Sequence, residues 1–327
     1  MALFSGDTLF AGDVGRPDLR DHEVEARDLA AMLYDSLFYK LLRLPPEVRV
    51  YLAHGAGSLC GRQICEATFT TIGHEVETNW ALQFHDRARF VEAMVANLPE
   101  RPPYFARSVA INLCGAPFFS ELPAVYHLER AEWNRLQQEG ATTLLDMRPG
   151  PVFGDGHAVG SLNIGIDNSS FSVWVGFFVK PNLPIVLVVE SETQAQQVQL
   201  ELSRIGFDQV LGFITADDLA AKRQISQIAA RDFLISLEGP QRPAVLDVRS
   251  AQESSDDPLD GAIHIPLAQL PGRIGELPKK VPLSILCSSG YRSSIAVSLL
   301  ESEGFEQLTS VVGGMHAVRH ASAKIRI

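Results

Sequence analysis

Apolar residues along this chain fall into two alternating patterns. Residues 185–189 and 283–286 are short apolar runs, the length expected of strands buried in a parallel sheet. Each run is followed by a polar turn and then by apolar positions at helical spacing. In the later segment these are Ile295, Ala296, Leu299 and Leu300, with Gly304 placed to stop the helix. Strand, crossover helix, strand predicts an α/β fold with parallel sheets. Residues 25–42 read differently: Leu29, Leu33, Leu37 and Leu41 recur every four positions, predicting a helix closed by Pro45-Pro46. A strand is predicted over 48–53, leading into the glycine-rich turn His54-Gly55-Ala56-Gly57-Ser58, and another strand end in Phe4-Ser5-Gly6-Asp7.

The second half contains an internal repeat. Leu144-Leu145-Asp146-Met147-Arg148, Gly160-Ser161-Leu162-Asn163-Ile164 and Gly206-Phe207-Asp208-Gln209-Val210 recur as Val245-Leu246-Asp247-Val248-Arg249, Gly261-Ala262-Ile263-His264-Ile265 and Gly304-Phe305-Glu306-Gln307-Leu308. The offset is 101 residues from Gly160 to Gly261 and 98 from Gly206 to Gly304, so one fold is duplicated. Boundaries are expected near 115–123 and at Glu238-Gly239-Pro240, dividing the chain into residues 1–120, 121–237 and 238–327.

Composition narrows the partners. With 46% hydrophobic and 20% charged residues the chain is ordinary globular protein, and a net charge of -11 argues against nucleic acid or an anionic membrane. No run of ~18 apolar residues is present to span a bilayer. The opening MALFSGDTLFAGDVGRPDL lacks the features of a signal peptide, and four scattered cysteines make no disulfide or Cys-x-x-Cys zinc framework. A cytoplasmic location with reduced thiols is the expectation.

Cys287 stands apart. It directly follows an apolar strand and opens the loop Cys287-Ser288-Ser289-Gly290-Tyr291-Arg292, after which a helix begins near Arg292 or Ser293. Backbone N–H groups and the helix N-terminus there favour an anionic sulfur, Arg292 adds a permanent cation, and Gly290 allows the tight bend. Together they favour the thiolate, and a terminal persulfide needs the same donors. A buried cysteine ending a core strand is the plain alternative; the glycine, the arginine and the helix argue against it. A cysteine-phosphatase loop places five residues between cysteine and arginine, whereas four intervene here, a tighter cradle suited to a single sulfur atom. In the first repeat Cys287 aligns with Val189, and Glu190, Glu192 and Gln194 stand where Ser288, Gly290 and Arg292 do. That copy is expected to be chemically silent.

From about residue 242 to 317 the chain resembles a rhodanese domain, through LDVR, GAIHIP, the CxxGxR loop and Val312-Gly313-Gly314-Met315. The resemblance implies sulfurtransferase chemistry with Cys287 as nucleophile, Arg292 as its cation, and the amides of Ser288, Ser289, Gly290 and Tyr291 facing the sulfur. It also implies that Asp247 and Arg249 brace the sheet and the loop. The Gly-His pair expected before Gly261 is absent, replaced by Asp257-Pro258, but is present in the first repeat as Gly156-His157 and is read as structural.

Taken singly, Asp7 after a glycine is usually a turn residue, and His54 after a strand is usually satisfied there. Their contexts, FSGDTLFAGDVGRPDL, VYLAHGAGSLCG and TTIGHEVETNWALQ, resemble the C-terminal half of a metallo-β-lactamase-fold domain of the persulfide dioxygenase-like group. The implied architecture is half of an αββα sandwich followed by two rhodanese-like α/β domains, the first inactive. Asp7 would be a metal ligand, His54 a member of the same site, and Arg16 a neighbour of a thiol-substrate pocket. The family's His-x-His-x-Asp-His motif precedes the aspartate, yet six residues precede Asp7 here, and the nine histidines contain no His-x-His pair. Complete members use iron, whose mononuclear site needs about three protein ligands. Asp7 and His54 fall short, so neither iron nor dioxygenase activity is expected of this chain alone.

A half sandwich is expected to leave an apolar sheet face uncovered, to be partly disordered or aggregating, and to associate with a second copy or a complementing N-terminal half. The expected function is sulfur transfer between a sulfane-sulfur donor, such as thiosulfate or glutathione persulfide, and a thiol acceptor, with no cofactor. The alternative is a binding or scaffold protein without metal activity.

Overall fold

The computed structural model describes all residues except 20–23, 57, 63, 97, 99–100, 220–221, 241 and 326–327. Gly57 of the predicted turn thus lies outside the described residues. The chain divides into two compact units, Met1–Gly115 and Ala116–Ile327. No helix among the described residues is long and apolar enough to cross a membrane.

In the first unit, β1 (Ala2–Phe4), β4 (Arg49–Tyr51) and β5 (Phe69–Thr71) form a sheet, β1 parallel and β5 antiparallel to the central β4. Strands β2 (Leu9–Phe10) and β3 (Asp13–Val14) make a separate hairpin around Ala11-Gly12, with Gly12 at positive φ. Alternation decides the sheet's two faces. Val50 is buried, with Leu3 packed beside it, in a core shared with Leu9, Val48, Ile72 and Phe90. On the other face Phe4, Tyr51 and Phe69 stand in register as an aromatic row, with Phe4 81% and Phe69 45% exposed.

The predicted helix is present as Ala26–Tyr39, but its buried residues are Ala30, Tyr34 and Leu37. An interval of four advances about 40° per step around a helix, so the leucine stripe drifts: Leu33, Leu37 and Leu41 pack on the core, and Leu29 falls outside it. The observed i, i+4, i+7 set points at the core, where Tyr34 stacks on Phe38 and meets Phe90 from the helix Arg87–Val95.

The second unit contains two parallel sheets. One has the order β7-β6-β8-β9, from β6 (Thr143–Asp146), β7 (Leu162–Asn163), β8 (Ile185–Val188) and β9 (Val210–Ile214). The other has the order β10-β14-β13-β11-β12, from β10 (Ser226–Ile228), β11 (Ala244–Asp247), β12 (Ile263–His264), β13 (Leu283–Leu286) and β14 (Leu308–Val311). Apart from β10 the strand orders are identical, so the sequence repeat is a repeat of topology. Every residue of β8 and β13 is buried, as expected of central strands covered on both faces. The second sheet draws on residues ahead of 238: β10 pairs with β14, and the helix Ala230–Glu238 buries Phe233 against Val245, Leu286 and Val311.

The helix Tyr291–Ser302 lies between the two repeats. Ser293 through Ser298, Leu300 and Glu301 are all buried, far more than one amphipathic face. Its small polar residues meet the first repeat: Ser298 Oγ accepts from the Asn163 N–H at 3.1 Å, and the Ser294 hydroxyl donates to Asn163 Oδ1. Completely buried His157 places Nε2 2.8 Å from Glu301 Oε2 and stacks on Phe153. The Gly156-His157 pair thus serves the packing between repeats.

Candidate functional site

Cys287 follows β13 immediately and is fully enclosed. Gly290 caps the next helix at φ +103°, a left-handed conformation that costs glycine little, and its N–H donates to Cys287 Sγ at 3.1 Å. Ser293 Oγ lies 3.9 Å from the same sulfur. Four loop amides were the expectation; among the described residues, Gly290 supplies the one that reaches the thiol. Tyr291 instead sends its hydroxyl to the Gly165 carbonyl at 2.8 Å, and burial and then Asp167 push its phenol up. Ser289, Gly290 and Tyr291 line a cavity of about 260 Å³ facing Gly150, Asp167 and Asn168 of the first repeat; Cys287 is not among its lining residues.

The glycine pair after β14 supports the loop from behind. A Cβ on Gly314, at φ +54°, would lie 2.2 Å from the Cys287 carbonyl oxygen and within 3 Å of Ser288. The absence of a side chain lets the N–H groups of Met315 and His316 bind the carbonyls of Cys287 and Ser288 at 2.7 and 3.0 Å.

Arg292 is not a lone cation. Its guanidinium grips Glu253 through two contacts of 2.6 Å and reaches Ser288 Oγ at 3.0 Å, while the Ser288 hydroxyl also donates to Glu253. Burial disfavours the Glu253 carboxylate, but bonds from Arg292 and Ser288 outweigh that and hold its carboxyl well below the usual range. Burial likewise works against the Arg292 cation, and Glu253 raises it above its ordinary value. Glu253 escaped the sequence reading. A signal for it existed: Ser250-Ala251-Gln252-Glu253 is a capping box, and both of its hydrogen bonds form, at 2.8 and 3.2 Å.

Asp247 and Arg249 form a buried fork of contacts between 2.7 and 3.0 Å. Arg249 then donates to the carbonyls of Glu253 at 3.2 Å and Asp257 at 2.8 Å, tying the end of β11 to the helix that carries Glu253. Asp146 and Arg148 repeat this in the first copy, down to a bond at 3.0 Å with the Gly156 carbonyl eight residues on. In that copy Val189 is buried where Cys287 stands, and Gln194 Oε1 accepts from the Glu190 N–H at 2.7 Å, closing the turn on itself.

In the first unit Asp7 and His54 do meet, with Nε2 3.1 Å from Oδ1. Cys60, not foreseen, joins them: one ligand atom from each of the three lies within 4.8 Å of the others. This set does not fit the two-histidine, one-carboxylate pattern of mononuclear iron. Arg16, expected to neighbour a thiol-substrate pocket, lies in the same region. Its side chain is buried, forked onto Asp18 at 2.7 and 3.0 Å and donating to the Leu59 carbonyl at 3.2 Å, so it pins the segment leading to Cys60.

Residues 232–321 match the family model of the rhodanese-like domain. YrkF of Bacillus subtilis, named as a sulfur carrier protein, is 32% identical over 91 residues, 28% of this chain and 49% of that protein. A protein of Allochromatium vinosum named sulfurtransferase is 27% identical over 97 residues, 29% of this chain and 91% of its own length. The match thus spans about half of YrkF. The crystal structure of a metallo-β-lactamase from Staphylococcus aureus subsp. aureus COL is similar at 26% identity and a TM-score of 0.56, covering 66% of this chain and 58% of that one. The chain therefore combines a metallo-β-lactamase-like region with a C-terminal rhodanese-like domain related to sulfurtransferases and sulfur carriers.

Proposed function

We propose that this protein is a sulfurtransferase of sulfide and persulfide metabolism that carries sulfane sulfur on Cys287. The observation behind this reading is the Gly290 N–H directed at Cys287 Sγ at the head of a helix, with Arg292 in that helix's first turn. In the first step the Cys287 thiolate attacks the outer sulfur of thiosulfate or glutathione persulfide. The donor's S–S bond breaks, and sulfite or glutathione thiolate leaves with the electron pair. Cys287 then carries a persulfide, whose terminal anion needs the donors that the thiolate had. In the second step an acceptor thiolate attacks the outer sulfur, the Cys287–sulfur bond breaks, and the Cys287 thiolate returns.

Two features shape the donor. The neighbouring cavity of about 260 Å³ suits a small molecule. Because Cys287 is enclosed, a donor reaches the sulfur only as the loop or its wall moves. The first repeat, lacking a thiol at Val189, acts as a second rhodanese-like layer that holds the helix Tyr291–Ser302. The test is thiocyanate formation from thiosulfate and cyanide, with mass spectrometry for one added sulfur atom on Cys287. Cys287→Ser should abolish both while leaving the melting temperature near that of the parent; retained turnover would overturn the assignment.

A scaffold role is favoured by a different observation, the complete burial of Cys287 together with the engagement of Arg292 by Glu253. It predicts no adduct on Cys287 after prolonged incubation with either donor.

A further inference from the structure

We infer that the silent first repeat selects the acceptor at the sulfur loop: Asp167 admits thiols that carry an ammonium group and turns away anionic ones. This rests on the reading of Cys287 as a sulfur carrier and names the class of thiol that takes the sulfur from it. The cavity beside the loop has one wall from each repeat. Ser289, Gly290 and Tyr291 face Gly150, Asp167 and Asn168 across about 260 Å³. Gly290 belongs to both places, because it lines the cavity while its N–H donates to Cys287 Sγ at 3.1 Å. A molecule held in the cavity therefore touches the residue that holds the sulfur.

Charge chooses the acceptor. Of the described residues that line the cavity, Asp167 alone carries a formal charge. The rest of the lining is neutral, with polar groups from Ser294, Ser310 and Gln227 and an apolar part from Val311 and Val312. Arg292, the cation of the loop, is absent from this lining and is bound by Glu253 instead. Among the described residues nothing donates to the Asp167 carboxylate or pairs with it. A cavity with one negative charge and no cation favours a positive group and disfavours a negative one.

Contacts between the repeats fix where that charge stands. The Tyr291 hydroxyl donates to the Gly165 carbonyl at 2.8 Å, just ahead of Asp167. A Cβ on Gly165 would lie 2.9 Å from Asp167 Oδ1 and 3.6 Å from the Tyr291 ring, so carboxylate and ring meet over the bare backbone of that glycine. The charge is felt there: after burial, Asp167 is what raises the Tyr291 phenol. On the same wall a Cβ on Gly150 would lie 2.9 Å from Ser294, and Gln227 Nε2 donates to the Pro151 carbonyl at 3.1 Å. The walls are thus held together before any acceptor arrives. In the transfer step the acceptor thiolate attacks the outer sulfur of the Cys287 persulfide while its ammonium rests against Asp167. The sulfur–sulfur bond breaks, its electron pair returns to Cys287 as the thiolate, and the acceptor leaves as a persulfide with its ammonium unchanged.

The experiment loads Cys287 of the full chain with sulfur from glutathione persulfide and follows its discharge by mass spectrometry. The acceptors are cysteamine, 2-mercaptoethanol and 3-mercaptopropionate, which present a positive, a neutral and a negative end. These thiols differ in their own acidity, so the readout is how the cysteamine-to-mercaptopropionate rate ratio changes between proteins. Asp167 is exposed, and an exposed ion pair changes affinity by up to roughly fivefold. Asp167→Asn should therefore lower the ratio roughly three- to fivefold, with 2-mercaptoethanol least affected, and Asp167→Lys should lower it further. Glu192→Gln removes an exposed carboxylate of the same repeat that does not line the cavity, and should keep the parent's ratio. A ratio unchanged in both Asp167 variants, or lowered as much by Glu192→Gln, would overturn the selection by Asp167 and leave the carrier reading standing. A Cys287 that takes up no sulfur would overturn both, so formation of the adduct tells the two failures apart.

Discussion

At the scale of single residues the sulfur site is governed by a charge that the loop does not contain. Glu253 neutralises Arg292 through two short bonds, so the field at Cys287 is weaker than an unpaired guanidinium would produce. The loss of field costs a donor whose two charges sit at the reacting group, such as thiosulfate, more than one with a single charge there. Glu253→Gln should therefore lower the KM for thiosulfate several-fold and change that for glutathione persulfide less; equal KM values in both proteins would remove the screening argument. The same pair predicts a pH signature. A carboxyl held below its unfolded value contributes stability that is fully present above about pH 4 and is lost as pH falls through the folded value. The stability gap between the parent and Glu253→Gln should thus be constant from pH 5 to 8 and shrink only in acid, as urea titrations can show.

At the scale of elements, two chain segments meet behind the sulfur. The loop after β13 rests on the backbone of Gly314 at the start of the last helix, at a separation no side chain would allow. Gly314→Ala should displace Cys287 and Ser288, removing most sulfur transfer and costing about 1–3 kcal/mol of stability. Gly304→Ala is the matched comparison: its φ is also positive, at +83°, but nothing lies within 4 Å of the added methyl. It should cost about 1 kcal/mol and leave activity near the parent's. Equal activity in the two variants would show that close approach at Gly314 does not set the loop. The interval-of-four leucines of the first helix teach a related point. Spacing announces a helix, but 3.6 residues per turn decides which of them are buried.

At the scale of the whole molecule, the second unit is tied together by polar contacts spanning its repeats. His157 and Glu301, buried and 2.8 Å apart, join residues 144 positions distant in sequence. His157→Ala removes one partner of Glu301, whose other carboxylate oxygen stays 3.6 Å from Arg223, and opens the stack on Phe153, so it should destabilise the second unit by about 1–3 kcal/mol. Hydrogen exchange should show lost protection in the helix Tyr291–Ser302; unchanged protection there would mean that the repeats do not stabilise one another.

Much of this was legible from the chain alone. Short apolar runs, glycine punctuation and the 101-residue echo announced two parallel α/β layers, and Cys287 with Gly290 and Arg292 announced an anion cradle, because strand length, helix period and loop spacing are local quantities. The residues that complete each site were not legible. Glu253 meets Arg292 across 39 positions, and Ser294 meets Asn163 across 131. Cys60 comes within reach of Asp7 across 53 positions. Periodicity carries no information about which distant segments will touch. That is decided by which apolar faces must be buried together, and so the tertiary structure alone supplied the counter-charge at the sulfur loop and the third donor beside Asp7 and His54.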